Sequence, residues 1–399
     1  MCDGQNSSRA GEKNNNGRTA AAERGTTLGY FQLARGLGML FIIAGHSITP
    51  FFDKDAAYAA GQRFAGAGSV FGGGVIAMFF MISGFGLFFR MEERQISGKK
   101  GNRKKRTGFF AMQLHEFWIP YVLTAAAVLL GKGLIAVWRN RSFLLHGGEL
   151  VPTFLLGLNA EGGGTFFGFP VDSVSVLWFL LALSGGSVLW YLLYGISTRK
   201  RIPRGLYYGN AALLAAVGVL LCRMHPVLPF CFAQMLLACG YIAAGDAIAA
   251  YRLLDRRLPW FCHAGMLLLI LFSFAFGGVN IVAGFFLCGF LDFAATVCIG
   301  FYLLRLYACL FQHLPEKDVA VLSFAETVGR YSLQILCIHA AEKMLFPWYR
   351  LRFYFPTHPV MCVVLCFLLR IVLIFVCLSL MEWVRRRVRK RTRRTRRMR

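Results

Sequence analysis

An arginine and a histidine interrupt the first long apolar stretch of the chain, residues 28–52. Arg35 and His46 are eleven positions apart, which is about three whole turns of an α-helix. Their side chains are therefore predicted to share one helix face, roughly 16 Å apart along the axis. Ionisable groups inside a membrane are costly, so a cation and an imidazole on one stripe favour a functional path across the membrane. For His46 alone, a structural hydrogen bond to a neighbouring helix would be the simpler interpretation.

Small polar residues interrupt the second apolar stretch, at Ser83 and Gly84. Counted from the predicted inner helix ends, Ser83 lies at about the depth of Arg35, each about 10 Å in. Small residues at this depth allow a substrate or another backbone to approach closely. The alternative is that Ser83 and Gly84 only pack two helices together.

A second histidine, His339, lies in the ninth apolar stretch with Glu342 three residues further on. This spacing predicts that both side chains lie on the same helix face. A carboxylate beside an imidazole can fix its tautomer and raise its basicity. A purely structural hydrogen bond at the membrane interface is the alternative.

Three further side chains belong to predicted membrane spans. Trp178 lies near the outer end of the fourth span, where a tryptophan either anchors the helix at the interface or stacks on a sugar. Asp292 and Arg370 carry opposite charges inside predicted spans, so we expect them to pair with each other in a structural role.

The composition defines the elements that must position these residues. Of 399 residues 57% are hydrophobic and the mean hydropathy is +0.54, which predicts an all-α polytopic membrane protein of about ten transmembrane helices. The predicted spans are 28–52, 71–90, 109–137, 174–195, 207–223, 228–250, 259–277, 284–311, 326–347 and 359–384.

The basic residues that give the chain its net charge of +25 are distributed along the sequence as expected for a multi-pass membrane protein. Basic blocks fall in connections after even-numbered spans, which places both termini in the cytoplasm. Residues 1–27 are predicted to form a disordered cytoplasmic tail and residues 385–399 a basic cytoplasmic tail. A solvated or lipid-headgroup-binding face accounts for these basic residues, and no nucleic-acid partner is expected.

The twelve cysteines do not form CxxC pairs, and all but Cys2 lie within or at the ends of apolar segments. Inside a bilayer such cysteines behave as small hydrophobic residues. We therefore expect neither a disulfide framework nor a metal site.

Several of these motifs together resemble the integral-membrane acyltransferase family 3. They are the Arg35–His46 spacing and the runs 79–85, 177–180, 228–245 and 332–339. The resemblance covers about residues 28–384, the predicted transmembrane acyltransferase domain.

The resemblance implies a function and a set of site residues. The family transfers an acyl group from cytoplasmic acyl-CoA to a hydroxyl of a saccharide or glycolipid at the outer face. We expect the donor to be acetyl-CoA, with succinyl as the alternative acyl group. Arg35 and His46 correspond to the family's essential pair, and Ser83, Gly84 and Phe85 to its second-helix motif. Together with Trp178, His339 and Glu342 as substrate-binding candidates, these are the predicted site residues.

The chain departs from the family pattern before the third predicted span. Family members often carry two arginines three positions apart close to a Pro-x-Tyr-like element. Here Pro120 is present, but residues 113–118 contain no arginine, and Arg103 and Arg106 lie further upstream. The sequence therefore does not identify the residues that hold the donor phosphates.

The rival interpretation is a membrane transporter for a small anion or glycan precursor, since intramembrane Arg, His and Asp serve transporters equally well. In either case we expect a multi-pass protein of a bacterial inner or plasma membrane.

Overall fold

A computed structural model describes residues 29–51, 54–96, 102–139, 148–224, 227–313 and 320–397. The predicted disordered tail, 1–27, lies outside the described residues. The basic residues 385–397 continue the last helix, which ends at Arg397.

Fourteen α-helices follow one another along the described residues. They are α1 (Gly29–Ile48), α2 (Lys54–Ile96), α3 (Asn102–Gln113), α4 (Ile119–Trp138), α5 (Leu150–Leu156), α6 (Trp178–Lys200), α7 (Arg204–Arg223), α8 (Phe232–Ala250), α9 (Trp260–Phe276), α10 (Phe290–His313), α11 (Ala320–Arg330), α12 (Ser332–Leu345), α13 (Leu351–Tyr354) and α14 (Pro359–Arg397). A π-helical turn, Leu114–Trp118, joins α3 to α4, and 3₁₀ turns lie at Ser175–Leu177, Pro229–Cys231 and Trp348–Arg350.

Eight helical stretches among the described residues are long and apolar enough to cross a membrane. They are Gly29–Ile48, Gly68–Glu92, Gly108–Trp138, Ser175–Lys200, Arg204–Arg223, Pro229–Ala250, Phe290–His313 and Pro359–Arg387. The all-α polytopic fold is therefore confirmed.

The two other predicted spans are helical but shorter. The seventh is α9, an apolar helix of 17 residues. The ninth divides at Tyr331, whose backbone (φ −100°, ψ 13°) ends α11 and begins α12. His339 and Glu342 consequently lie on a helix of 14 residues rather than on a full-length span.

The long connection between α4 and α6 contains a short helix and a hairpin. After α5, the strands β1 (Asn159–Phe166) and β2 (Phe169–Ser173) pair in antiparallel register. A second pair, β3 (Val279–Asn280) and β4 (Phe285–Phe286), lies between α9 and α10. The Asn159 amide donates to the carbonyl of Val282, which connects the hairpin to the segment between β3 and β4.

The centre of the bundle is α8, which packs against α2, α6 and α7 and is buried along most of its length. Gly84 of α2 and Gly245 of α8 lie at the crossing of their helices. A Cβ on Gly84 would lie 1.9 Å from the carbonyl oxygen of Ile242, and one on Gly245 would lie 2.0 Å from that of Met81. The two backbones approach so closely that neither position has room for a side chain.

This crossing predicts a large difference between two nearby glycines. Gly84→Ala is expected to destabilise the protein by about 1–3 kcal/mol, because the added methyl meets backbone that cannot rotate away. Gly86→Ala is the matched control, since no atom lies within 4 Å of the position its Cβ would take. Thermal unfolding in detergent measures both variants, and equal midpoints would contradict this account of the crossing.

Candidate active site

Arg35 and His46 lie on one uninterrupted helix. Because α1 runs from Gly29 to Ile48 without a break, residues eleven positions apart share a face, as the sequence predicts. Both side chains are partly buried.

His46 faces the second histidine that the sequence singled out. The ring centroids of His46 and His339 are 5.3 Å apart, with the planes tilted by 41°. His339 is fully buried and its Nδ1 lies 2.7 Å from Oε1 of Glu342. The predicted contact between the imidazole and the carboxylate three residues on is confirmed, and the structure adds His46 to it.

Glu342 is the centre of a buried charged cluster. The Trp348 indole donates to its Oε2, and the Arg370 guanidinium lies with Nε 3.5 Å from its Oε1. The same guanidinium lies over the Trp348 ring, 5.2 Å from the centroid. Glu342 and Arg370 are 2% and 1% exposed, so a buried carboxylate is neutralised by a buried cation. We call His46, His339, Glu342, Trp348 and Arg370 the imidazole site.

The hydrogen bond to Glu342 determines which nitrogen of His339 carries the proton. An ionised carboxylate only accepts, so Nδ1 is the donor and Nε2 of the neutral ring keeps its lone pair. Nε2 is buried and has no hydrogen-bond partner within the described part of the chain. A buried, unpartnered lone pair beside a second imidazole is equipped to accept a proton.

Arg35 lies in a different charged environment, nearer the start of α1. It is within electrostatic range of Arg90, near the end of α2, and of Glu116, on the π-helical turn. Two like-charged guanidinium groups near each other favour the binding of an anion. π-helical turns occur frequently at functional sites. Arg90 is therefore the residue that sequence reasoning missed at this end, since its position relative to Arg35 depends on how α1 and α2 pack.

The second-helix motif lies against other helices. The Ser83 hydroxyl donates to the carbonyl of Phe79 in its own helix at 3.2 Å. Gly84 contacts the α8 backbone as described above, and the Phe85 ring packs edge-on against Phe31 of α1, with centroids 4.7 Å apart. These contacts favour the helix-packing interpretation of Gly84, while a role of the motif in substrate binding stays a prediction.

Trp178 is buried at the start of α6. It is 3% exposed, and its ring lies 6.4 Å from that of Phe80 and 6.0 Å from that of Phe179, measured between centroids. The turn that precedes it, Ser175–Leu177, packs against α12, which carries His339. Trp178 thus lies in the protein core, directly after a turn that contacts the helix of the imidazole site, and its proposed contact with an acceptor sugar stays a prediction.

The predicted pair between Asp292 and Arg370 is wrong. Arg370 pairs with Glu342, whereas Asp292 accepts hydrogen bonds from the backbone N–H groups of Cys288 at 2.8 Å and Gly278 at 3.4 Å. Asp292 lies in the first turn of α10 and holds the loop around β3 and β4. Both hydrogen bonds reach Oδ2, whereas Oδ1 has no hydrogen-bond partner among the described residues. The helix N-terminus is the favourable end for a carboxylate.

The comparisons with known proteins assign the chain to a family. A family model described as an acyltransferase domain matches residues 28–379. The chain therefore belongs to acyltransferase family 3 and is a multi-pass membrane acyltransferase. No curated protein and no solved structure matches it.

Proposed function

We propose that this protein transfers an acyl group, in our proposal acetyl, from cytoplasmic acyl-CoA to a hydroxyl of a saccharide or glycolipid at the outer membrane face. The family membership supports acyl transfer in general. The observation that carries the assignment to this site is the pair of neighbouring imidazoles, His46 and His339, with Glu342 hydrogen-bonded to one of them. Deprotonation of a hydroxyl needs such a base.

Arg35 and Arg90 are proposed to bind the phosphates of the donor. The two guanidinium groups lie within electrostatic range of each other, and phosphate is a ligand whose geometry matches the donors of a guanidinium group. The pantetheine arm is an extended chain of length comparable to the roughly 16 Å between Arg35 and His46 along α1. A thioester at its tip would then reach the imidazole site.

His46 is proposed to be the general base for the acceptor hydroxyl. It takes the hydroxyl proton on one ring nitrogen while the oxygen attacks the thioester carbonyl. The proton on its other nitrogen can pass to Nε2 of His339, where the Glu342 carboxylate stabilises the positive charge. When the tetrahedral intermediate collapses, the carbon–sulfur bond breaks and the CoA thiolate receives the proton.

Mass spectrometry of cell-surface glycans tests this function with the chain present and deleted. The expected result is one class of glycan that lacks about 42 mass units, the mass that one acetyl group adds, in the deletion strain, with restoration by the wild type and not by His46→Ala. Identical glycan and glycolipid masses in both strains would argue against acyl transfer to such acceptors.

The route from Arg35 to His46 makes a prediction about accessibility. Ile42 is partly buried on the stripe between them, whereas its neighbour Phe41 is 46% exposed on the surface of α1. Ile42→Cys is expected to react with a water-soluble thiol reagent and to be protected by CoA, because the donor arm occupies this stripe. Phe41→Cys is the control and should react less, since lipid excludes the charged reagent.

Labelling is measured peptide by peptide by mass spectrometry, because the chain has twelve native cysteines. Reaction of Phe41→Cys in preference to Ile42→Cys, or reaction of Ile42→Cys that CoA leaves unchanged, would argue against this route.

A further inference from the structure

The strongest unexplained feature of the imidazole site is the guanidinium of Arg370. It is 1% exposed, in the apolar first half of α14, and two of its nitrogens, Nε and Nη1, have no hydrogen-bond partner within the described residues. Arg370 Nε lies 3.5 Å from Oε1 of Glu342, so the two charges neutralise each other, but the distance is too long for a well-formed hydrogen bond. Charged donors left unpaired in a buried site are costly, so a native structure that keeps them needs a reason.

The surroundings of Arg370 place its guanidinium in the imidazole site. The guanidinium is within electrostatic range of both His46 and His339. On its other sides it is held by the Trp348 ring and by the Cys366 thiol, one turn earlier on α14, which lies within hydrogen-bonding reach. Glu342, Trp348 and the packing around Cys366 therefore fix the guanidinium beside the two imidazoles.

We propose that Arg370 is a catalytic residue that donates to the carbonyl oxygen of the acyl group as negative charge develops on it. This inference rests on the proposed function and adds the electrophilic half of the reaction. The acceptor oxygen forms a bond to the thioester carbon, and the carbonyl π electrons move onto oxygen, where the N–H groups of Arg370 stabilise them. Collapse of this intermediate reforms the carbonyl and expels the CoA thiolate, which takes the proton from the imidazoles.

Preorganised donors of this kind act mainly in the transition state. The alternative is that Arg370 only neutralises Glu342 and keeps α12 and α14 together. If Arg370 has only a structural role, its replacement should affect folding and weaken the binding of all ligands similarly. If it binds the oxyanion, its replacement should weaken ligands with a tetrahedral carbon at the acyl position more than ligands with a planar one.

Arg370→Lys separates the two roles because it keeps the positive charge next to Glu342 and removes the planar fork of donors. At saturating acetyl-CoA, the single-turnover rate of acetyl transfer is expected to fall by about 100-fold. The affinities of two CoA analogues are measured in parallel: an acetonyl thioether, whose ketone stays planar, and a trifluoroacetonyl thioether, whose ketone readily becomes tetrahedral. Arg370→Lys should weaken the trifluoroacetonyl analogue much more than the acetonyl analogue.

Arg305→Lys is the matched control, since Arg305 is another arginine inside a membrane helix, and its Nη1 has no hydrogen-bond partner in the part of the chain that the structure describes. It should leave the ratio of the two affinities unchanged. If Arg370→Lys does not fold, the double variant Arg370→Gln/Glu342→Gln removes both charges, so that no buried charge is left unpaired, and its ratio of the two analogue affinities is compared with that of the wild type.

An equal loss of affinity for both analogues, or an unchanged transfer rate in Arg370→Lys, would overturn the role of Arg370 while leaving the proposed function intact. Failure of the wild type to transfer acetyl from acetyl-CoA at all would overturn both.

Discussion

Replacing His46 by alanine is expected to slow acyl transfer by about 10²–10⁴-fold, the usual contribution of a positioned general base. The expectation follows from the position of His46 beside the buried imidazole of His339, with ring centroids 5.3 Å apart. Because Arg35 and Arg90 are unchanged, the affinity for CoA should stay close to that of the wild type. The measurement is the rate of CoA release from labelled acetyl-CoA by purified protein in lipid vesicles, together with CoA binding.

His358→Ala is the matched control for this variant. His358 is an exposed histidine in the loop before α14, and its backbone is hydrogen-bonded to the backbone of Phe355 and Cys362. Its replacement should leave the rate unchanged. A His46→Ala protein that folds and keeps normal turnover would show that another group removes the hydroxyl proton.

Glu342→Gln is expected to have the second large effect, on both turnover and stability. The substitution removes the charge that stabilises a protonated His339 and leaves the guanidinium of Arg370, 1% exposed, without its counter-ion. Breaking one side of a buried ion pair costs about 3–5 kcal/mol. Loss of the residue that orients a catalytic imidazole lowers turnover by about 10²-fold or more. Thermal unfolding and single-turnover rates measure the two effects separately.

Glu382→Gln provides the comparison on the same helix as Arg370. Glu382 pairs with Arg385 at 3.7 Å and with Arg386 at 3.6 Å, but its side chain is 30% exposed and those of the arginines are 58% and 78% exposed. Exposed ion pairs contribute about 0–1 kcal/mol to stability, so the unfolding midpoint of this variant should stay close to that of the wild type. Similar unfolding midpoints for the Glu342→Gln and Glu382→Gln variants would mean that the ion pair in the imidazole site does not stabilise the fold.

The parts of the site that depend on local geometry could be predicted from the sequence. Eleven positions on one helix fix the common face of Arg35 and His46, and three positions fix the contact between His339 and Glu342. Both follow from the period of a helix and need no knowledge of neighbouring helices. The helices themselves were predictable because hydrocarbon thickness sets the length of apolar segments.

The parts that depend on tertiary packing could not be predicted in this way. Arg370 and Asp292 were both recognised as intramembrane charges, but the choice of partner depends on which helices are adjacent, and Arg370 pairs with Glu342. Trp348 lies in the 3₁₀ turn after α12, and the helical period of α12 does not define the direction of its indole. Arg90 comes near Arg35 only because α1 and α2 pack together.

The break of the ninth predicted span at Tyr331 has a similar origin. Residues 326–347 are apolar enough to be predicted as one helix, and no proline marks the position where α11 ends. Gly329, two residues before Tyr331, lies against α1, since a Cβ there would be 1.8 Å from the carbonyl oxygen of Gln32. The second half, α12, packs against α4 and α14. The hydrophobic pattern of a single sequence does not encode these neighbours.

The central claim is that the imidazole site moves an acyl group between molecules rather than moving a solute between compartments. The most direct measurement incubates vesicles containing the purified protein and extracted membrane glycolipids with acetyl-CoA labelled in the acetyl group. The account predicts label bound covalently in the glycolipid fraction, with an equal amount of free CoA thiol, and neither product with His46→Ala. Label that crosses the membrane or stays on CoA without any covalent product, in the wild type, would contradict it.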